Sequence, residues 1–311
     1  MMQLTNRAVL LLTACFVVAA TSACTTASVV GPAGASQAPG PSSSASAPVA
    51  VNEEARALLP QSVRDKGTLV IATDPTYPPF EFFDTDNKTV IGWDIDTGNA
   101  LAAALGLEPQ YIPATFETIL PGLASKKYDL GMSAFNVTDE RKKVVDFVPY
   151  ISGGSGLAVP PGNPEKLAMN ASALCGKKIA AQKGTHESLD ILPAMSQECT
   201  DGDAPPIDLA VFPTQSDANL ALLSGRVDGV MADSLPLAYQ GKLADNKFEL
   251  AAGSDYEPRL SGIALNKDSG LRPAITTAMK AIVASETYAD INERWGIPPT
   301  SSISADQVSG Q

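Results

Sequence analysis

Beyond an N-terminal leader, the chain alternates between short apolar runs and amphipathic stretches, and this alternation limits the possible folds most strongly. Residues 69–73 are apolar and β-branched and end at Asp74, which is typical of a strand that runs into a turn. Residues 94–105 carry apolar side chains at helical spacing and precede Gly106, a favourable residue just after a helix. Repetition of this pattern predicts an α/β fold with mostly parallel strands.

The same reading locates the remaining elements of the body. It predicts strands at residues 128–132, 178–181, 209–212, 227–231 and 263–265. It predicts helices at residues 116–125, after 185, and at 217–224, 271–285 and 287–295.

Polar residues follow several of these strands, and in an α/β sheet the carboxyl ends of the strands are where ligands bind. Asp74, the loop 133–138, Thr185 and Asp233 are all placed in this way. Arg141 falls in the first turn of a helix, where a cation opposes the helix dipole. A bound carboxylate accounts for that cation better than helix stability does.

Charge and histidine content exclude several classes of function. The chain has 22 Lys and Arg against 34 Asp and Glu, a formal net charge of -12, so the basic surface of a nucleic-acid-binding protein is absent. Its one histidine, His186, excludes a His-rich metal site and disfavours Ser-His or Cys-His catalysis. We expect no metal ion, cofactor or nucleic-acid partner.

The first 23 residues are predicted to be an export signal. Arg7 precedes an apolar run at residues 8–20, which is shorter than the ~20 residues that a membrane helix needs. Three small residues then lead to Cys24, an order that resembles the bacterial lipobox, although that pattern prefers Leu where this chain has Thr21. The sequence therefore favours a lipid anchor at Cys24; the alternative is an ordinary secretory signal beside an incidental cysteine.

Residues 24–59 are predicted to be the anchor and a disordered linker. Within 25–50, 20 of the 26 residues are Ala, Ser, Gly or Pro, a composition that cannot bury a core. A folded body tethered in this way would lie outside the cytoplasm, at the outer face of the cell membrane.

Two cysteines remain in the body, Cys175 and Cys199. In an exported domain they are expected to pair, and a loop of this length would add about 3–4 kcal/mol to the stability. The alternative is two buried free thiols.

Six segments in order along the body resemble the amino-acid-binding family of extracytoplasmic solute-binding proteins that serve ABC importers. The resemblance covers roughly residues 67–297. The segments are DPTYPPF at 74–80, GWDID at 92–96, FETILPGL at 116–123, MSAFNVTDER at 132–141 with DF at 146–147, GT at 184–185 and GVMAD at 229–233.

The resemblance implies two α/β lobes joined by two crossover strands, with the ligand in the interlobe cleft. We expect lobe 1 at residues 60–155 plus 259–300, lobe 2 at 156–258, and a flexible tail at 301–311. The resemblance also implies a monomer that delivers its ligand to a membrane permease.

The family pattern assigns a role to each candidate residue. Arg141 would hold the ligand α-carboxylate, helped by Thr185 and by backbone N–H groups near Ala134 and Asn136, and Asp233 would bind the α-ammonium group. The remaining assignments concern the ligand side chain: Tyr77 and Phe116 on either side of it, Ser133 and Gln182 as polar contacts, and Asp74 towards a cationic or amide group.

Simpler interpretations stay open for several of these residues. His186 is either a ligand contact or a solvated residue at a helix start. Asp74 could be a turn former, Arg141 a solvated helix charge, Asp233 a helix cap and Phe116 a plain core residue. Ala134 and Asn136 stand where the family often has small hydroxyl residues, which weakens the expected carboxylate pocket.

These observations predict a binding protein, not an enzyme. The ligand would be a polar amino acid, with a cationic or amide side chain favoured, delivered to an ABC import permease. The alternative is an exported dehydratase of the same fold that acts on a prephenate-like acid, with Asp74, Glu81 or His186 as general acid or base.

Overall fold

The structure, a computed structural model, describes residues 49–309. The predicted export signal, the anchor Cys24 and most of the predicted linker lie outside the described residues. Among the helices of residues 49–309, none is both long and apolar enough to cross a membrane.

The strands and helices follow the predicted alternation closely. The strands are β1 Thr68–Thr73, β2 Thr76–Tyr77, β3 Glu81–Phe83, β4 Val90–Ile91, β5 Glu108–Pro113, β6 Leu130–Gly131, β7 Val145–Val159, β8 Lys178–Gln182, β9 Asp208–Phe212, β10 Gly229–Asp233, β11 Glu249–Leu250 and β12 Tyr256–Asn266. The helices are α1 Glu53–Ala57, α2 Gln61–Lys66, α3 Trp93–Leu105, α4 Phe116–Ala124, α5 Asp139–Val144, α6 Ala171–Leu174, α7 Leu192–Asp201, α8 Gln215–Leu223, α9 Ser234–Leu243, α10 Arg272–Val283, α11 Glu286–Trp295 and α12 Ala305–Val308. A π-helical turn, Glu187–Ile191, precedes α7, and a 3₁₀ turn, Pro299–Ser301, precedes α12.

Two long strands link the two halves of the molecule. In the described part of the chain, the large sheet has the order β5-β1-β6-β12-β7-β10-β8-β9, with β11 also paired to β7. Strands β7 and β12 run antiparallel through its centre, and the outer pairs β1–β5 and β8–β9 are parallel. This arrangement confirms the predicted α/β fold of two lobes joined by two crossover strands. The expectation of mostly parallel strands is wrong, because only four of the ten strand pairings among the described residues are parallel and the crossover strands pair antiparallel with their neighbours.

Separate apolar cores lie on either side of the crossover strands. One core includes Trp93 and Tyr150 and extends to the C-terminal helices, while the other includes Leu157 and Leu192. Tyr77 packs against apolar residues of both halves, so it lies where they meet.

Gly92 allows a close approach of the chain that positions one side of the cleft. Its φ is 138°, and a Cβ atom there would lie 2.1 Å from the carbonyl oxygen of Phe80. Only glycine accommodates this contact. The Asp94 N–H donates to the same carbonyl at 2.8 Å, which fixes the start of α3 beside β3.

Two predicted flexible segments are corrected by the structure. At the N-terminal end, residues 53–57 form helix α1, and Ala55 and Leu59 are buried, so the linker does not continue to residue 59. At the C-terminal end, the expected loose tail from 301 instead forms α12, with Val308 in the core of the first lobe. In both segments a few apolar side chains find tertiary contacts that the local composition does not reveal.

The predicted pairing of Cys175 with Cys199 is confirmed, and the alternative of two free thiols is excluded. Their Cα atoms lie 5.5 Å apart in a disulfide that closes a loop of 24 residues. The bond ties the end of α6 to α7 in the second lobe.

We expect the double substitution Cys175→Ala and Cys199→Ala to lower the free energy of unfolding by about 3–4 kcal/mol, because the unfolded chain loses a constraint on its loop. Urea unfolding followed by circular dichroism measures this change. Dithiothreitol should lower the stability of the wild type and leave the double variant unchanged. Equal sensitivity of the two proteins to the reductant would contradict the prediction.

Candidate functional site

A narrow cavity between the lobes contains most of the predicted site residues. Nine of them line it: Asp74, Tyr77, Phe116, Ser133, Ala134, Asn136, Gln182, Thr185 and Asp233. Two further acidic residues, Glu81 and Glu187, line it as well and were not predicted as ligand contacts. Arg141 and His186 are not part of the lining. Arg141 lies next to it, beside Phe116, and the His186 ring bonds to Asp190.

The cavity is narrow because side chains from the two lobes bond to each other across it. The space open to a water-sized sphere is about 10 Å³. A larger groove of about 410 Å³, lined by Ser152, Tyr239 and Lys242 among others, contains none of the predicted residues. The predicted residues therefore lie together in the smaller of these two cavities.

Asp233 is held by partners from the opposite lobe. The Tyr77 hydroxyl donates to Asp233 Oδ2 at 2.9 Å and accepts the Asp233 N–H at 3.0 Å. The Asn136 side-chain amide donates to Asp233 Oδ1 at 3.1 Å. Asp233 precedes α9 but its side chain makes no capping hydrogen bond, so the helix-cap interpretation is wrong.

The surroundings of Asp233 raise its pKa to about 7. Desolvation is the largest cause, followed by the negative charge of Glu187. The hydrogen bonds from Asn136 and Tyr77 and the charge of Arg141 act in the opposite direction. Near neutral pH the carboxyl group is therefore poised between its neutral and its charged form.

Arg141 is held next to the cavity and spans the two lobes. Its Nη1 donates to the carbonyl oxygen of Asn136 at 2.8 Å, and its Nη2 donates to that of Gly184 at 2.9 Å. The guanidinium carbon lies 5.5 Å from the centre of the Phe116 ring. Desolvation lowers the pKa of Arg141, and the nearby carboxylates partly offset this effect.

The interpretation of Arg141 as a solvated helix charge is wrong. Within residues 49–309 it forms no ion pair with its neighbours Asp139 and Glu140, which instead pair with Lys142 and Lys143. The Thr138 hydroxyl caps the helix by accepting the Arg141 N–H at 3.2 Å. The helix start thus aims the guanidinium inwards.

Asp74 joins the lobes at the other end of the cavity. Its Oδ2 accepts the N–H of Phe116 at 3.1 Å and the side-chain amide of Gln182 at 2.7 Å. Burial raises the pKa of Asp74, although both hydrogen bonds oppose the shift. Because the side chain also bonds to Gln182 of the other lobe, a turn-forming role alone does not account for it.

Glu81 and Asp94 form an acidic pair below the Asp74 end of the cavity. The Ser133 hydroxyl donates to Glu81 Oε1, and the N–H of Ala134 donates to Asp94 Oδ2 at 3.2 Å. Burial, with the charge of Asp94, raises the pKa of Glu81 well above its usual range, and burial raises that of Asp94 to about 6. Two adjacent carboxyl groups without a bound cation retain a proton between them.

The expected role of the Ala134 N–H is corrected by this geometry. Ala134 adopts a left-handed conformation, with φ 46°, and its N–H donates to Asp94 and to the Tyr150 hydroxyl. It therefore stabilises the acidic pair and does not face a ligand carboxylate. Asn136 contributes its side chain, which bonds to Asp233, and the expected use of its N–H stays a prediction.

The expected contact from His186 is also corrected. His186 is buried, but its Nδ1 lies 2.7 Å from Asp190 Oδ2 on the same helical turn, away from the cavity. The π-helical turn that starts at Glu187 brings Glu187 to the cavity in its place. Thr185 stays in the lining, and its hydroxyl donates to the carbonyl oxygen of Gln182 at 2.9 Å.

Phe116 is more than a core residue, since it lines the cavity while stacking on Phe135 with ring centres 4.6 Å apart. Among residues 49–309, no three His, Cys, Asp or Glu side chains are arranged to hold a metal ion.

The fold and this site define a binding protein of two lobes. Residues 69–298 match the bacterial extracellular solute-binding proteins, family 3, and the chain belongs to that family. The chain is 29% identical over 244 residues to the arginine-binding protein ArgT of Corynebacterium glutamicum, covering 78% of this chain and 79% of that protein.

Solved structures show the same fold. An ancestral arginine-binding protein bound to arginine superposes with a TM-score of 0.66 at 32% identity, covering 74% of this chain and 98% of its own. An ancestral amino-acid-binding protein, a precursor of cyclohexadienyl dehydratase, superposes with a TM-score of 0.63 at 30% identity, covering 75% and 97%.

We expect Asp233→Asn to stabilise the ligand-free protein at pH 8 and to change its stability little at pH 4. A carboxyl group whose pKa is higher in the folded than in the unfolded chain loses stability as pH rises between the two values, from about 4 to about 7 for Asp233. Asparagine does not titrate and, like the protonated carboxyl group, has one acceptor oxygen and one donor group, so only one of the two accepted hydrogen bonds stays as it is. Thermal unfolding at the two pH values tests this, and a variant that is less stable than wild type at pH 8 would contradict it.

Proposed function

We propose that this protein binds a cationic amino acid in its interlobe cavity and delivers it to an ABC import permease. One observation carries the proposal. The cavity is lined by carboxyl groups from both lobes, Asp74, Glu81, Glu187 and Asp233, whereas Arg141 is the cation beside it. A ligand with one carboxylate and two cationic groups complements this charge distribution.

In the proposed complex each end of the amino acid replaces a contact between the lobes. The ammonium group binds Asp233 in place of the bonds from Tyr77 and Asn136. The carboxylate binds Arg141, whose guanidinium otherwise donates to two carbonyl oxygens. Arginine suits a planar carboxylate because its N–H groups donate in pairs.

The ligand side chain would run between Tyr77 and Phe116 towards Asp74. Gln182 already donates to Asp74 there, so a guanidinium or ammonium group would compete for the same oxygen. Glu81, directly below, can release its shared proton to solvent when a cation binds at that end. The same reasoning disfavours an amide side chain, which would leave the acidic pair without a full countercharge.

The ligand would stabilise the closed protein by bonding to both lobes at once. Arg141 and Asp74 come from the first lobe and Asp233 comes from the second. A ligand that bonds to both favours the closed state by the difference in its affinity for the two states.

Several further properties belong to this proposal. Family membership supports a location outside the cytoplasm. The lipobox-like residues before Cys24 support a lipid anchor at the outer face of the membrane. The proposed protein acts as a monomer. The lobe limits at residues 155 and 258 fall within β7 and β12, which supports the proposed division.

A dehydratase is the second candidate, favoured by one observation. The acidic pair of Glu81 and Asp94 retains a proton in the cavity and could act as a general acid. We infer a binding role instead, because the similar ancestral precursor of cyclohexadienyl dehydratase is itself an amino-acid-binding protein.

Calorimetric titration of refolded, ligand-free protein with the twenty amino acids tests the proposal. We expect arginine or lysine to bind at least about tenfold more tightly than glutamine, because only a cation neutralises the acidic end. Prephenate serves as the control, both for binding and for turnover. Turnover of prephenate without binding of any amino acid would contradict the proposal.

We expect Arg141→Ala to lower the affinity for the bound amino acid by at least about 30-fold, because it removes a desolvated partner of the ligand carboxylate. Lys142→Ala is the matched control, since Lys142 is exposed on the same helix and pairs with Asp139. Isothermal titration calorimetry measures both variants. Wild-type affinity in the Arg141 variant would refute its role.

A further inference from the structure

Glu187 is an acidic residue of the cavity lining to which the proposed function gives no specific ligand contact. Its side chain is 2% exposed and lies in the lining together with Asp233. Burial of a carboxylate requires a compensating partner. The role of Glu187 therefore depends on which group compensates its buried carboxylate.

The backbone holds Glu187 next to Asp233 through three adjacent strands. Asp233 ends β10, and Glu187 begins the turn after β8, the parallel neighbour of β10. On the other side, Asp233 is in register with Ser155 of β7. The Ser155 hydroxyl donates to Glu187 Oε1 at 2.6 Å. The two carboxyl groups therefore share one lobe, and their proximity does not require a closed cleft.

Within residues 49–309, Glu187 has no ion-pair partner and accepts a hydrogen bond only from Ser155. Titratable and charged groups from three other elements face the two carboxyl groups or their neighbours: Tyr77 of β2, Arg141 of α5 and Arg259 of β12, whose positive charge lies near that of Arg141. His186 and Asp190 lie next to Glu187 in the chain, at its own helical turn. Arg141 donates to carbonyl oxygens, and His186 bonds to Asp190. Glu187 and Asp233 thus face the cavity without a direct ion pair to any basic side chain of the described residues.

We propose that Glu187 and Asp233 together bind the ammonium group of the ligand, with Glu187 as the second acceptor. The inference rests on the proposed function, which supplies an ammonium ligand. An ammonium group has three N–H donors, more than one carboxylate can accept with good geometry. Glu187 Oε1 is anchored by Ser155, which leaves the second oxygen for the ligand.

This arrangement couples binding to pH. The ammonium group competes with the proton on Asp233, whose pKa of about 7 is raised in part by Glu187. Affinity should therefore fall as pH drops below 7. Removing the charge of Glu187 lowers the pKa of Asp233, so the fall in affinity should move to lower pH.

The test compares Glu187→Gln with wild type on two ligands, arginine and 5-guanidinopentanoic acid, which lacks the α-amino group. At pH 8 we expect the variant to bind arginine about 10-fold to 100-fold more weakly and to bind the analogue within about twofold of wild type. Glutamine retains the acceptor for Ser155, and Glu198→Gln, an exposed acid of α7, is the matched control. An equal loss for both ligands, or no loss for either, would overturn the proposal.

A second measurement separates this proposal from the proposed function. Carbon-13 NMR of labelled aspartate, with the Asp233 resonance assigned from Asp233→Asn, reports its titration in the ligand-free protein. We expect a lower pKa in Glu187→Gln than in wild type. Failure of wild type to bind any amino acid would refute the proposed function, whereas an unchanged Asp233 titration would refute the role of Glu187.

Discussion

The site depends on the carboxylate of Asp233, which is largely shielded from water and takes its hydrogen bonds from the opposite lobe. A charge that loses water needs close partners, and Tyr77 and Asn136 supply them only when the lobes meet. A ligand ammonium group can supply the same compensation with a full positive charge. The chemistry of one side chain thus links occupancy of the cavity to the arrangement of the lobes.

Arg141 and Asp74 extend this principle to the rest of the cavity. Each bonds to a group of the other lobe, Gly184 and Gln182 respectively, through contacts that a ligand can replace. The scaffold around these exchangeable contacts does not depend on them, since β7 and β12 pair antiparallel along most of their length, with two register shifts, and each lobe has its own core. In the proposed complex, specificity would therefore depend on which cation neutralises the acidic end of the cavity, and not on the fold.

Much of this structure could be predicted from the sequence, because apolar periodicity determines which segments become strands and where their carboxyl ends lie. Helix α3, predicted at residues 94–105, spans Trp93–Leu105, and nine of the predicted residues line the cavity. The predictions that were wrong concern the direction in which individual backbone and side-chain groups point. The left-handed turn at Ala134 and the π-helical turn after His186 redirect single groups without any change in residue pattern. The sequence did hold a signal for Glu187, because this acidic residue directly follows His186, a position predicted to contact the ligand. The ends of the body were misjudged because single apolar residues such as Val308 gain burial only from the folded lobe.

The most direct test of the central claim is a crystal structure of the protein with its tightest-binding amino acid. The account predicts the ligand ammonium nitrogen within hydrogen-bond distance of Asp233, with Tyr77 or Asn136 displaced from that carboxylate, and the ligand carboxylate on Arg141. A ligand bound elsewhere, or one bound in the cavity while Asp233 keeps both of its partners from the opposite lobe, would contradict it.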